Sequence, residues 1–210
     1  MLPQAATLFD QFVLLWVVIE PVNVVSVFLA VTGEMSPQIR VGVAVKAIAV
    51  AAAVLLFFIL AGQLLLEALG VDVVAFQLAG GIVLFLMALS LIFGRLTARE
   101  EPGGNVEAMA NELAVFPIGI PAIAGPGTML AVVLLTDNHR FSLGQQAITA
   151  AVLGLVLLIT LAMLIGAQQV HRVIGKAGAG VISRVTGLIL TAIAANNILE
   201  AITLYFKIPR

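Results

Sequence analysis

The hydrophobic positions of this chain fall into six long runs that are separated by shorter polar segments. The runs cover about residues 8–32, 40–66, 73–94, 113–135, 145–168 and 181–205. A helix needs roughly 20 consecutive apolar residues to cross the hydrocarbon core of a bilayer. The pattern therefore predicts an all-α membrane protein with six transmembrane helices.

Composition narrows the function classes. Of the 210 residues, 62% are hydrophobic and 10% are charged, whereas soluble domains carry about 25% charged residues. The net charge of −1 argues against nucleic-acid binding, which needs a basic face. Cysteine is absent, and His139 and His171 lie at predicted helix ends and form no ligand cluster. No catalytic constellation stands within the runs, so we predict neither an enzyme nor a bound metal or cofactor.

The polar segments divide the chain into two halves. The longest one, residues 95–112, contains Pro102-Gly103-Gly104 and is predicted to be a linker between residues 1–94 and residues 113–210. Each half then holds three transmembrane helices. In the turn between the first two runs, Ser36 is a predicted helix cap and Pro37 a predicted first helical residue.

The fourth run carries the strongest interruption. Its segment Phe116–Thr128 (FPIGIPAIAGPGT) contains three prolines and three glycines, including the predicted break residues Pro121 and Pro126. Proline removes a backbone donor and clashes with the carbonyl four residues earlier, so the helix should break. In hydrocarbon the freed backbone groups need partners in protein or in a water-filled cavity. A broken helix at membrane depth is therefore a candidate binding site.

The two halves show a weak internal repeat. Pro21 falls on Pro126 at an offset of 105 residues, and Gly81 falls on Gly187 at an offset of 106. Because each unit holds three spans, the second unit would enter the membrane from the opposite side. Such an inverted repeat is typical of secondary transporters, whose sites lie where corresponding broken helices meet. Here the first helix of each unit, spans one and four, is predicted to be broken.

Basic residues predict the orientation. The links 1–2, 3–4 and 5–6, with the residues nearest to them, carry seven Lys or Arg residues against three on the other side. The positive-inside rule then places both termini outside the cytoplasm.

Four segments resemble the MarC family of bacterial and archaeal inner-membrane proteins. Phe116–Thr128 is similar to that family's "PLAIPLIAGPG" segment, and residues 20–32 resemble its first-span "NPxGNxPxFLxLT". Ala79–Ile82 and Gly187–Ala194 are similar to its third- and sixth-span patterns. In the first motif this chain departs from the family: Glu20 stands for Asn or Asp, Asn23 for Gly, Val24 for Asn and Ser26 for Pro.

The resemblance implies a multi-pass protein of the bacterial or archaeal plasma membrane. The resemblance also implies the type of protein that includes neutral amino acid transporters of the SnatA kind, which move glycine, alanine and similar substrates. Import or export, the coupling ion and the exact substrate stay open. A homo-oligomer is also left open.

The chemistry of a small zwitterion suits the two breaks. Helix N-termini that begin at Pro21 and Pro126 offer free N–H groups and positive dipole ends for a carboxylate. Carbonyls released before each proline suit an ammonium. The small residues Ala124, Gly125 and Gly127 would let a ligand approach the backbone. The alternative is a tightly packed proline kink that serves only shape.

Polar side chains complete the predicted site. Glu20 lies near mid-span, where a carboxylate is by default functional, as a proton carrier or as a partner for the substrate ammonium. It could instead pair with Lys46, which otherwise extends to the membrane surface. Asn23, Ser26 and Thr128 could bind ligand, although Ser and Thr often bond to their own helix.

The last span adds Asn196, which shares a helix face with Glu200 and could point to the site or hold helices together. Gln77 is predicted to join helices, and Gly80-Gly81 to allow close packing. The leading hypothesis is a secondary transporter of small neutral amino acids, proton-coupled or exchanging, that works by alternating access. The alternative is a non-transporting accessory or assembly protein of the inner membrane.

Overall fold

The computed structural model describes residues 8–33, 35–93, 106–137 and 141–207. Within these ranges the chain is built from helices, and the order predicted from the hydrophobic runs is kept. The helices are α1 (Leu8–Ile19), α2 (Pro21–Thr32), α3 (Pro37–Ala68), α4 (Val73–Phe93), α5 (Val106–Leu113), α6 (Pro126–Leu135), α7 (Leu143–Ile165) and α8 (Ala167–Tyr205). A wide π-type segment, Ala114–Ile123, lies between α5 and α6 and is called the double-proline segment.

Five helical stretches are long and apolar enough to cross a membrane: Leu8–Thr32, Pro37–Ala68, Val73–Ser90, Leu143–Ile165 and Arg184–Tyr205. Ala110–Ile123 and Pro126–Leu135 meet at a bend of 56°, and together they have the length and composition of a sixth, broken span or of a re-entrant loop. These positions agree with the six predicted runs to within a few residues. Among the described residues the prediction of an all-helical membrane protein is confirmed, with five or six candidate spans against the six predicted.

Local signals explain where several helices begin. Ser36 caps α3, since its Oγ accepts a hydrogen bond from the N–H of Ile39 at 3.5 Å, and Pro37 is the first helical residue. Both features agree with the prediction. At the start of α7, Ser142 and Gln145 form a capping box: the Ser142 Oγ accepts from the Gln145 N–H, and the Ser142 N–H donates to Gln145 Oε1 at 2.9 Å.

Helix α4 packs along α8 in the antiparallel direction. Gln77 Nε2 donates to the carbonyl of Asn197 at 3.4 Å near one end of the pair, and Ala88 packs with Leu190 further along. A Cβ on Gly81 would lie 2.9 Å from Ile198 Cγ1, so α8 approaches α4 closely at this glycine. The predicted roles of Gln77 in joining helices and of the glycines in close packing are confirmed.

The largest apolar core joins α1, α2, α3, α6, α7 and the double-proline segment. Phe28, Leu55 and Ile118 are among its fully buried side chains. A Cβ on Gly119 would lie 3.2 Å from the carbonyl oxygen of Ala47, so the double-proline segment lies directly against α3.

The predicted linker of residues 95–112 is helical from Val106 onward, and its earlier residues lie outside the described ranges. Helix α5 is fastened to α3 by Lys46, whose Nζ donates to Asn111 Oδ1 at 2.6 Å. The Lys46 side chain is exposed and does not pair with Glu20. The predicted link between spans five and six is largely helical, with a break inside α8 at Gly175, whose φ of 68° suits glycine.

Candidate functional site: two helix breaks and two cavities

The first break lies at Glu20, between α1 and α2. Its backbone has φ 52° and ψ 61°, the left-handed conformation that non-glycine residues seldom adopt. Pro21 follows as the first residue of α2, and its missing N–H cannot bond to the carbonyl of Val17. The Glu20 N–H donates to the Trp16 carbonyl, and the Glu20 carbonyl accepts from the Val24 N–H, both at 3.0 Å. The regular helix is thus interrupted at one residue and resumes as α2, within the single apolar stretch Leu8–Thr32.

The Glu20 side chain is half-buried beside this break. Its Oε1 is buried and accepts no hydrogen bond from any part of the chain that the structure describes. A polar group that is buried without a partner costs roughly 1–3 kcal/mol by mutational measurement, and a charged one costs more. An isolated carboxylate inside a membrane span is therefore a functional candidate rather than a stabilising feature.

A cavity of about 140 Å³ lies next to this carboxyl group. It is lined by Trp16, Val17, Glu20, Pro21, Val22, Asn23 and Thr186. One water needs about 10–15 Å³ of such space, so the cavity can hold several waters or a small ligand. We call it the Glu20 cavity.

The second break has a different construction. Phe116 and Ile120, which precede prolines, are extended, with φ/ψ of −130°/127° and −133°/125°. Proline disfavours the helical conformation of the residue before it, which explains these two departures. The peptide bonds Phe116–Pro117 and Ile120–Pro121 are both cis. The double-proline segment is thus a wide, irregular coil that ends at Ala124.

Backbone and side-chain hydrogen bonds close the second break. The Ala124 N–H donates to the Gly119 carbonyl and the Met129 N–H to the Gly125 carbonyl, both at 2.9 Å. The Thr128 Oγ1 donates to the Ile123 carbonyl at 3.0 Å, so it bridges from α6 back across the break. These contacts satisfy groups that would otherwise be unpaired in hydrocarbon.

Tight packing also fills the second break. A Cβ on Gly125 would lie 2.7 Å from the carbonyl oxygen of Pro121, and one on Gly127 would overlap Leu84 Cδ1. Ala124 is fully buried. Of the small residues predicted to admit a ligand to the backbone, Ala124 and Gly125 are thus covered by protein atoms, whereas Gly127 packs against Leu84.

A larger cavity of about 350 Å³ lies among α1, α4, α6 and α8. Its polar side chains are Asn196 and Asn197, and the rest of its lining is apolar or glycine: Leu14, Val18, Leu84, Gly127, Leu130, Ala131, Leu134, Leu135, Ala192 and Ile193. We call it the Asn196 cavity. Its apolar walls and paired amides could hold a small amphiphilic solute.

The structure distributes the predicted site residues over separate places. Glu20, Pro21 and Asn23 line the Glu20 cavity, whereas Gly127 and Asn196 line the Asn196 cavity. The remaining residues of the second break are Pro121, Ala124, Gly125, Pro126 and Thr128, none of which lines either cavity. Ser26 lines neither; its Oγ donates to the carbonyl of Val22 at 3.2 Å, within its own helix.

An apolar cluster lies beside both cavities. Thr186 and Asn196 are ten residues apart on α8, about 15 Å along a helix axis. Leu190 and Ala194 lie in the interval and pack with Leu84 and Ala88 of α4, against which Val17 and Val18 of α1 are packed. Val17 lines one cavity and Val18 the other. We call these six residues the apolar barrier.

Sequence reasoning missed four lining residues of the Glu20 cavity, namely Trp16, Val17, Val22 and Thr186. Trp16 precedes Glu20 by four residues and so shares its helix face, a signal that could have found it. Thr186 comes from the far end of the chain, and no local pattern connects it with Glu20. Among the described residues, no group of three or more His, Asp or Glu side chains could hold a metal ion.

Comparison with known proteins identifies the family. The family model described as MarC family integral membrane protein matches residues 5–206. The chain belongs to the MarC family.

Curated relatives agree with this assignment. A UPF0056 membrane protein of Methanocaldococcus jannaschii is 34% identical, over 88% of this chain and 90% of the relative. One from Aquifex aeolicus is 30% identical, over 91% and 90% respectively. The inner membrane protein YhgN of Escherichia coli is 28% identical, over 93% and 95%. No solved structure matches the chain. This MarC-family chain is therefore an integral membrane protein whose relatives are named for their location alone.

Proposed function

We propose that this MarC-family chain is a secondary transporter of small neutral amino acids of the glycine and alanine kind, located in the plasma membrane. The observation that carries the proposal is the Glu20 cavity: it lies within a membrane span and is lined by a carboxyl group whose buried Oε1 has no hydrogen-bond partner among the described residues. Such a carboxyl group inside a membrane span marks a substrate or proton pathway by default.

The ends of α1 and α2 supply complementary groups for a zwitterion. The first N–H groups of α2, at Val22 and Asn23, form the positive end of a helix dipole and suit a substrate carboxylate. The last carbonyls of α1 and the Glu20 carboxylate suit an ammonium group. Because the cavity holds only about 140 Å³, it favours substrates with small side chains.

The proposed mechanism is alternating access between two inverted three-helix repeats, residues 1–94 and 113–210. The breaks at Pro21 and Pro126 support it, since they occupy equivalent positions 105 residues apart, each at the start of a helix. The apolar barrier beside the two cavities would be the closure that opens when the repeats move. We place both termini outside the cytoplasm by the distribution of basic residues.

Flux measurements test the proposal. Purified protein is placed in proteoliposomes, and uptake of labelled glycine and alanine is followed with and without an imposed proton gradient. We expect saturable flux, with the gradient-driven component lost in Glu20→Gln. Glu67→Gln is the matched control, because Glu67 is exposed at the end of α3 and lines neither cavity.

The other outcomes separate the alternatives. If flux is unchanged in Glu20→Gln, the protein would still be a transporter, but Glu20 would not be its coupling group. Absence of flux for any small zwitterion, from protein shown to be folded, would favour the accessory or assembly role.

A further inference from the structure

The Glu20 cavity combines four kinds of group that bind ammonium. It offers the Glu20 carboxyl group, the Trp16 indole, the Asn23 amide and the Thr186 hydroxyl. A primary ammonium has three donors and no acceptor, so carboxylate, amide and hydroxyl oxygens complement it. Tryptophan is the aromatic side chain that attracts cations most strongly.

Among the residues that the structure describes, Glu20 is the one ionisable group that lines this cavity. Of the elements packed against α1 and α2, helices α6 and α7 and the double-proline segment contain no titratable residue. Among the described side chains of α8, the one that lines the cavity is Thr186. Arg184, two residues before Thr186, is exposed. Of the described residues, therefore, none places a positive charge beside Glu20 in the cavity.

We propose that the ammonium group of the substrate and a proton compete for the Glu20 carboxylate, which makes the chain a proton/amino-acid exchanger. This inference rests on the proposed function and deepens it. One carboxylate in a space of about 140 Å³ cannot hold a proton and pair with an ammonium at once, because protonation removes the negative charge that the ammonium requires.

The charge balance sets the direction of exchange. A zwitterion carries no net charge, so it binds to ionised Glu20 and crosses with that charge. After release, Glu20 takes up one proton from the same side and returns neutral. Each cycle moves one substrate one way and one proton the other way, and it transfers one net charge. A cell whose proton gradient points inward would use this cycle to expel the substrate.

The fluorescence of Trp16 reports the binding step directly, because Trp16 is the only tryptophan of the chain. Purified protein in detergent is titrated with alanine, with ethylamine hydrochloride and with sodium propionate. We expect alanine and ethylamine to change the emission and propionate to change it far less. Equal responses to propionate and ethylamine would overturn the assignment of the cavity to the ammonium group.

The pH dependence tests competition. While Glu20 is protonated, the apparent Kd for ethylamine should fall about tenfold for each pH unit of increase and then reach a plateau. In weakly buffered solution, ligand binding in this range should release a proton. In Glu20→Gln both effects should be lost. A Kd that is independent of pH, or proton uptake on binding, would overturn competition.

Thr186→Val tests the contribution of α8 to the same cavity. It keeps the shape of the side chain and removes the hydroxyl, and we expect the Kd for ethylamine to rise several-fold. Thr191→Val is the matched control, because the Thr191 hydroxyl donates to the Gly187 carbonyl at 2.7 Å within α8 and does not line the cavity. Equal Kd values for the two variants would remove Thr186 from the site.

Flux and binding together separate this inference from the proposed function. If protons and amino acid move in the same direction, the chain would still be a transporter, but the exchange mechanism would be overturned. Absence of both flux and ligand-dependent Trp16 emission would overturn the inference and the proposed function together.

Discussion

The two helix breaks of this chain share a sequence signal and differ in almost everything else. At the second break, Thr128 and the backbone of Ala124 satisfy nearby carbonyls, and Gly125 is covered by protein atoms. At the first break, Glu20 is held in a left-handed conformation and its Oε1 has no partner among the described residues. The comparison teaches that proline and glycine mark where a helix stops, whereas the polar groups left unsatisfied mark where a ligand or proton could act.

From the sequence, both breaks had the same two possible roles, ligand binding or a kink that only gives shape. In the structure each break fits a different one of these roles. The packed second break fits the alternative of a shape-giving kink, in which glycine allows close approach. The first break, with a cavity and a carboxyl group whose Oε1 is buried, fits the binding role. The second break still reaches a cavity through Gly127, but that cavity is mostly apolar.

The largest expected effect on stability belongs to Gly125→Ala. The new Cβ would lie 2.7 Å from the Pro121 carbonyl oxygen, a backbone atom that cannot rotate away. We expect a loss of about 1–3 kcal/mol, the usual cost of overpacking. The measurement is the midpoint of thermal unfolding in one detergent, read from the monodisperse fraction that survives heating.

Gly154→Ala on α7 is the control for this prediction. A Cβ at Gly154 meets no described atom within 4 Å, so the helix should gain about 0.5–1 kcal/mol from the better helix former. Equal midpoints for the two variants would show that the second break is not tightly packed.

A pair of substitutions at Glu20 tests the strain of the first break. Glu20→Gly and Glu20→Ala remove the same carboxyl group, but only glycine adopts a φ of 52° without steric cost. We expect Glu20→Gly to be more stable than Glu20→Ala by about 1–2 kcal/mol. In an ordinary helix the order is reversed, since alanine is the better helix former.

The same thermal assay compares the two variants, with flux as a second measurement. Both should lose gradient-driven transport, because both lack the carboxyl group. If Glu20→Ala were the more stable variant, the left-handed conformation would not be a property of the folded protein.

The smallest effect is expected for Thr128→Val, which removes the hydroxyl that bridges the second break. The Ile123 carbonyl lies before α6 and would lose this donor, at a cost of about 0.5–1.5 kcal/mol. Thr160→Val is the control: its hydroxyl donates to the Val156 carbonyl inside the uninterrupted α7, where the backbone already supplies a donor. A larger loss for Thr160→Val than for Thr128→Val would contradict the bridging role.

The sequence by itself determined the features that depend on few neighbouring residues. Long apolar runs set the spans because a membrane helix must satisfy its own backbone. Ser36 and Pro37 set the start of α3, and Pro21 and Pro126 set where α2 and α6 begin. Each of these signals acts within about one helical turn.

Only the tertiary structure decided which residues share a space. Thr186 reaches the Glu20 cavity from a distant part of the chain, and Asn196 lies instead with Gly127 in the other cavity. Leu84 packs against Gly127, where the sequence predicted that a ligand could approach the backbone. These arrangements depend on how α1, α4, α6 and α8 pack against one another. Packing decides which helix faces meet, and this choice is not visible as a periodic pattern in the sequence of any one helix.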